Sequence, residues 1–205
     1  MRLIARLKGL VRGRKLPSPS RRDYYATPEL GLDGHRCPER RLAGWEALAR
    51  HARDRTVLDL GCAEGLMLRR LLRAGARRGH GLDNSAHRIA SARRVCALEP
   101  ARFDVMELNR PGQLDAAPFL EPSYDCVLML GVYQHLLERS RDTALVKALA
   151  RCREIFAFRV PRRRLHDAPR VIREQGFELV EELDPQGAEQ LLIYRRRGPA
   201  LPAAA

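Results

Sequence analysis

Residues 56–60, Thr-Val-Leu-Asp-Leu, form a short β-branched and apolar run suited to a buried strand. After Gly61-Cys62-Ala63-Glu64-Gly65, the apolar residues Leu66, Met67, Leu68, Leu71 and Leu72 fall at helical spacing, and Gly75 supplies a left-handed cap. Residues 79–83 form a second strand ending in an acid, and Asn84-Ser85 caps a helix from Ala86 to about Leu98. Farther along, the pattern gives a helix at 136–150, an alternating strand at 154–160, and a helix at 168–175 stopped by Gly176. Two last strands, 177–181 and 190–194, are joined by the turn Asp184-Pro185-Gln186-Gly187, which suits an antiparallel hairpin. Strands alternating with helices predict a doubly wound α/β sheet with ligands at the carboxyl ends of its strands.

The start of the chain has a different pattern. Leu3, Ile4, Leu7, Leu10 and Val11 share one helical face among basic residues, and Leu16-Pro17-Ser18-Pro19-Ser20 reads as a linker. Residues 1–22 hold eight basic residues and no acid, whereas residues 23–55 balance to zero. The organisation expected is a basic amphipathic arm and linker (1–22), an N-terminal helical lid (23–55), the main α/β domain (56–197) and a disordered Pro/Ala-rich tail (198–205).

Composition narrows the class. The 205 residues are 45% apolar and 31% charged with a net charge of +13, which excludes a disordered chain and allows one sizeable core. All but three of the 38 basic residues are arginine, so the charge by itself does not argue for a nucleic-acid partner. The five cysteines are widely spaced without a C-x-x-C pair, and the histidines show no ligand spacing, so no metal is expected and a reducing, cytoplasmic setting fits. No run suits a spanning helix or a cleavable signal.

Candidate chemistry lies in the first strand-loop-helix unit. Gly61 and Gly65 let the backbone approach a ligand closely, and an acid ending the second strand can accept hydrogen bonds from ribose hydroxyls. The G-x-G-x-x-G pattern of dinucleotide sites is missing. The segment Val57-Leu58-Asp59-Leu60-Gly61-Cys62-Ala63-Glu64-Gly65 resembles the first motif of class I S-adenosylmethionine-dependent methyltransferases, and Gly81-Leu82-Asp83-Asn84-Ser85 resembles their second. Phe103-Asp104-Val105-Met106-Glu107 and Tyr124-Asp125-Cys126-Val127-Leu128-Met129-Leu130-Gly131-Val132 are similar to the third and fourth strands of that family.

The resemblance covers about residues 42–195 and implies a Rossmann-like, seven-stranded, mostly parallel sheet of order 3-2-1-4-5-7-6 with helices on both faces. It implies S-adenosylmethionine as cofactor, with Asp59, Gly61 and Gly65 around its methionine part, Asp83 at the ribose, and Cys62, Ala63 and Asn84 also among the cofactor-binding residues. Met106 and Glu107 would border the adenine, and Leu130 and Gly131 would lie under the sulfonium.

Methyl transfer from a sulfonium is an in-line displacement that mainly demands positioning, with a base needed where the acceptor must lose a proton. His135, just beyond the fourth strand, is the candidate base; Tyr133 either lines the acceptor pocket or covers the core. Tyr24, Tyr25, Trp45 and the loop 31–35 are candidate lid residues for a polar or sugar-like acceptor.

The pattern of residues 61–65 and 131–136 is similar to cell-envelope methyltransferases of bacteria, so the expected acceptor is a small molecule or lipid-linked glycan. The arm at 1–15 suits several roles: docking on the domain, lying on RNA phosphates, serving as a transit peptide, or, with a glycan acceptor, lying on an anionic membrane at the inner face. The alternative acceptor is tRNA, with the triplets Arg162–Arg164 and Arg195–Arg197 on phosphates. A methyltransferase-like scaffold that binds a partner without catalysis is the second alternative.

Overall fold

The computed structural model describes residues 22–165, 168–184 and 189–198. The amphipathic arm, the centre of the 184–187 turn and most of the tail therefore lie outside the described residues.

Residues 23–36 begin with a small antiparallel ribbon, Ala26–Thr27 against Leu32–Asp33, joined by a 3-10 turn at Pro28–Leu30. The expected all-helical lid is thus half ribbon, because strands two residues long leave no periodicity to read. Two helices follow: α1 (Pro38–Leu42), opened by a proline at its first position, and α2 (Trp45–Ala52), which buries Ala47, Leu48 and Ala52.

The sheet then unfolds in the order β1 (Thr56–Leu60), α3 (Leu66–Arg73), β2 (Arg78–Asp83), α4 (Ala86–Val95), β3 (Ala101–Val105), α5 (Gln113–Ala116) and β4 (Tyr124–Leu130). It continues with α6 (Glu138–Ala150), β5 (Cys152–Pro161), α7 (Ala168–Glu174), β6 (Phe177–Leu183) and β7 (Glu189–Arg196). Strand order is β3-β2-β1-β4-β5-β7-β6, with β7 antiparallel to both neighbours and every other pair parallel. This is the expected topology. Helix α4 stops three residues before Leu98, which is 92% exposed and so gains nothing from helical packing.

Successive strand residues point to opposite faces and build two cores. Val57, Cys126, Leu128, Ile155, Ala157 and Ile193 pack toward α2, α3 and α4. Leu58, Leu60, Val127, Met129, Phe156 and Phe158 pack toward α6 and α7. The order in which strands are added reverses between the parallel strands β1 and β4, leaving a crevice at their carboxyl ends where open α/β sheets bind ligands.

The opposite end of the sheet is closed by polar bonds. Asp125, opening β4, accepts from the Thr56 amide (2.8 Å), the Thr56 hydroxyl (2.9 Å) and Arg77 (3.1 Å), and also pairs with Arg153. Burial alone would raise its carboxyl, but the Thr56 bonds and Arg153 outweigh it and hold the carboxyl below its ordinary value. A depressed folded pKa stabilises above the unfolded value and loses that contribution as pH falls through the folded one. Asp125→Asn should therefore cost about 2 kcal/mol at pH 7. The gap to wild type should narrow as the pH is taken below about 4 in denaturant titrations.

Candidate functional site

The loop after β1 owes its shape to two close approaches. A Cβ on Gly81 would stand 2.6 Å from the Phe103 ring and 2.8 Å from Cys62 Sγ, so glycine alone lets β2 lie under the loop. Gly61 has φ +76°, and a Cβ there would come within 2.9 Å of Val132. Ala63 is held at φ +50°, a left-handed conformation costing a non-glycine residue about 1 kcal/mol. Its amide donates to Asp83 Oδ2 at 3.1 Å, while Ser85 N–H donates to Asp83 Oδ1 at 2.9 Å. Asp83, expected at the ribose, therefore also fixes the loop.

Asp59 is fully buried at the base of the loop and pairs with a residue the sequence reading missed. Arg41 of α1 sends Nη2 to Asp59 Oδ2 at 2.7 Å and to the Gly61 carbonyl at 3.3 Å, and Nη1 to the Leu130 carbonyl at 2.7 Å. Burial works against the guanidinium, but the Asp59 carboxylate more than offsets it and holds Arg41 charged. Nothing in the sequence marked this arginine among so many; only its spacing to the first motif, invisible without a fold, brings it in.

Other expected residues divide into two groups. Asn84 and Glu107 meet, Nδ2 to Oε2 at 3.4 Å, and Glu107 also accepts from the amide and side chain of Asn109. Met106 is buried, with its amide on the Asp83 carbonyl at 2.9 Å. Gly131 continues β4 and accepts from Gln134 Nε2 at 3.1 Å. Cys62, by contrast, turns its thiol into the core against Gly81, where burial pushes it far above the ordinary range and keeps it protonated.

Tyr133 requires a correction. It is 2% exposed, stands edge-on to Phe158 at 5.1 Å, and donates its hydroxyl to Asp142 at 3.0 Å. It covers the core and is not available to an acceptor. His135 is exposed at the mouth, and burial of part of the ring together with nearby Arg36 lowers its pKa, so it is neutral at pH 7.

The lid aromatics separate in the same way. Tyr24 lies between the guanidinium groups of Arg36 (4.6 Å) and Arg88 (4.9 Å), and its amide bonds the buried Glu64 carboxylate. Tyr25 is buried. Trp45 borders a cleft of about 390 Å³ with Leu30, Leu42 and Leu66, and neither Asp59 nor Asp83 lines it. The convergent charged groups, rather than this cleft, define the site. Among the described residues no cluster of His, Cys, Asp and Glu is arranged for a metal ion.

Comparison with known proteins decides the class. Residues 57–154 match the family model for a methyltransferase domain. The chain carries a methyltransferase domain over just under half of its length, and its fold is that of the class I S-adenosylmethionine-dependent methyltransferases. The fold is similar to magnesium protoporphyrin IX methyltransferase of Synechocystis with its bound cofactor (19% identity, 76% of each chain, TM-score 0.61). It is also similar to the N-methyltransferase NodS of Bradyrhizobium japonicum (16% identity, 83% of this chain and 96% of that one, TM-score 0.62). In sequence it is similar to tRNA U34 carboxymethyltransferases of Idiomarina loihiensis (33% identity) and Cellvibrio japonicus (30%), each over 94 residues, 44% of this chain and 29% of the relative. The chain thus matches under a third of the length of these curated relatives.

The class cofactor, S-adenosylmethionine, fits the residues present. Arg41 Nε and Asp59 Oδ1 are buried with no hydrogen-bond partner among the described residues. One is a spare donor and the other a spare acceptor, complementary to the carboxylate and ammonium of an amino acid. Asp83→Ala removes a carboxylate able to make two charge-assisted bonds. It should weaken S-adenosylhomocysteine binding by about 100-fold, measured by calorimetry; unchanged affinity would exclude Asp83 from the site.

Proposed function

We propose that this methyltransferase acts on RNA, with the acceptor presented at a cationic rim beside the carboxyl ends of β4 and β5. The observation that carries the reading is the exposed 3-10 turn Arg162–Arg164, which follows β5 directly at the site end of the sheet. Arg162 is tied to Asp184 at 2.7 Å, whereas Arg163 and Arg164 have no acidic partner among the described residues. Arg36 adds charge near His135. Sequence similarity to tRNA U34 carboxymethyltransferases supports the same acceptor class. The expected lipid-linked glycan rests on the pattern of residues 61–65 and 131–136, and its inner-membrane location on the arm at 1–15, which lies outside the described residues.

The second triplet takes no part. Arg195 pairs in register with Ile155 near the start of β5, so residues 195–197 sit at the end of the sheet remote from the site. Arg196 caps the Leu149 and Cys152 carbonyls at 2.9 and 2.7 Å, and Arg197 faces Glu178 at 3.5 Å.

S-adenosylmethionine supplies, when bound, a methyl carbon already activated by its sulfonium. The residues of the chain then have three tasks: Arg41 and Asp59 hold the amino-acid end, Asp83 the ribose, and the rim the acceptor. In this reading His135, neutral at pH 7, accepts a proton from the acceptor. His135→Asn should lower kcat by about 100-fold with KM for the cofactor unchanged. Wild-type kcat should fall as pH drops through the lowered His135 pKa, and this acid limb should be absent from the variant.

Transfer of labelled methyl from S-adenosylmethionine into cell fractions tests the acceptor class. Label should enter RNA, and changing Arg163 and Arg164 to Gln should reduce both RNA binding and its salt dependence. Label confined to lipid or glycan would contradict the proposal.

A further inference from the structure

We infer that Arg159 is a positioning residue for the amino-acid end of the cofactor, acting through α1 and the side chain of Arg41. This rests on the cofactor assignment to the loop after β1.

Arg159 lies near the end of β5, in register with Leu130, and its carbonyl accepts the Gly131 amide at 2.8 Å. Its side chain leaves the sheet and caps α1. Nη1 donates to the Ala43 carbonyl at 3.1 Å and Nη2 to the Arg41 carbonyl at 3.0 Å. Both acceptors belong to the carbonyl end of a five-residue helix, where backbone groups lack partners within the helix. So short a helix does not hold itself, and its placement must come from tertiary bonds.

Glu189 of β7 reinforces the same end. It accepts from Arg40 Nη2 at 2.8 Å and stands 3.7 Å from Arg159 Nε. The arrangement brings two buried guanidinium groups together, an unfavourable pairing that lowers the Arg159 pKa to about 10 after the larger effect of burial. What offsets it is geometric. Arg159 fixes the backbone of Arg41 from β5, and Arg41 then reaches Asp59 on β1, Gly61 in the loop and Leu130 on β4. Without Arg159, α1 has two unsatisfied carbonyls, and the Arg41 side chain loses its fixed origin.

A ligand pair separates this role from general structural support. S-adenosylhomocysteine and 5′-methylthioadenosine share the adenosine part, but only the former has the amino-acid end. Calorimetry with Arg159→Gln should show about a tenfold loss of S-adenosylhomocysteine affinity, with methylthioadenosine affinity unchanged. Glu189→Gln, at the periphery of the cluster, should show a smaller loss with the same selectivity, and serves alone if Arg159→Gln does not fold. Unchanged S-adenosylhomocysteine affinity, or equal loss of both ligands, would overturn the inference. A wild-type protein that binds neither ligand would instead overturn the cofactor assignment itself.

Discussion

The buried ion pair between Arg41 and Asp59 ties the segment before the sheet to the chemistry at the sheet's centre. Two charges withdrawn from water are costly, and each is tolerable only while the other is present. Burial pushes the Asp59 carboxyl upward, and Arg41 is the largest influence opposing it. Because Arg41 also binds carbonyls of Gly61 and Leu130, the pair locks α1 onto β1 and β4 at their carboxyl ends. The N-terminal segment is therefore a wall of the ligand crevice, and sheet, loop and α1 must assemble together.

A second constraint is shared use of Asp83. Its two oxygens already hold the amides of Ala63 and Ser85, so the loop and the start of α4 are shaped by the group we propose for the ribose. Ala63 keeps its left-handed backbone with that support. Glu64 extends the same economy outward, its buried carboxylate receiving the Tyr24 amide and facing Arg88 at 3.9 Å. Loop geometry and lid attachment are thus carried by two acids, Asp83 and Glu64.

Much of this was legible in the sequence because it follows from local pattern. The run at 56–60, the glycines at 61 and 65 and the acid at 83 specify a strand, a loop and a second strand by rules of periodicity and backbone freedom. The sheet order came from resemblance to a family rather than from pattern. Arg41 and Arg159 were illegible for a physical reason: a buried arginine in an arginine-rich chain differs from a solvated one only in its long-range partners, 18 residues away for Asp59 and 118 for the Arg41 carbonyl. Tyr133 was ambiguous because a residue between a strand and a helix can face either way, and Phe158 and Asp142 decide its direction. The triplet at 195–197 looked like a phosphate site until the antiparallel register of β7 carried it to the far end.

The central claim is that α1 completes the site for the cofactor's amino-acid end, so ligand and helix should stabilise each other. Hydrogen exchange at the amides of residues 39–44, with and without S-adenosylhomocysteine, tests it most directly. Slower exchange of these amides in the complex is the predicted result. Exchange unchanged at saturating ligand would contradict the account, since the cofactor would then bind without engaging α1.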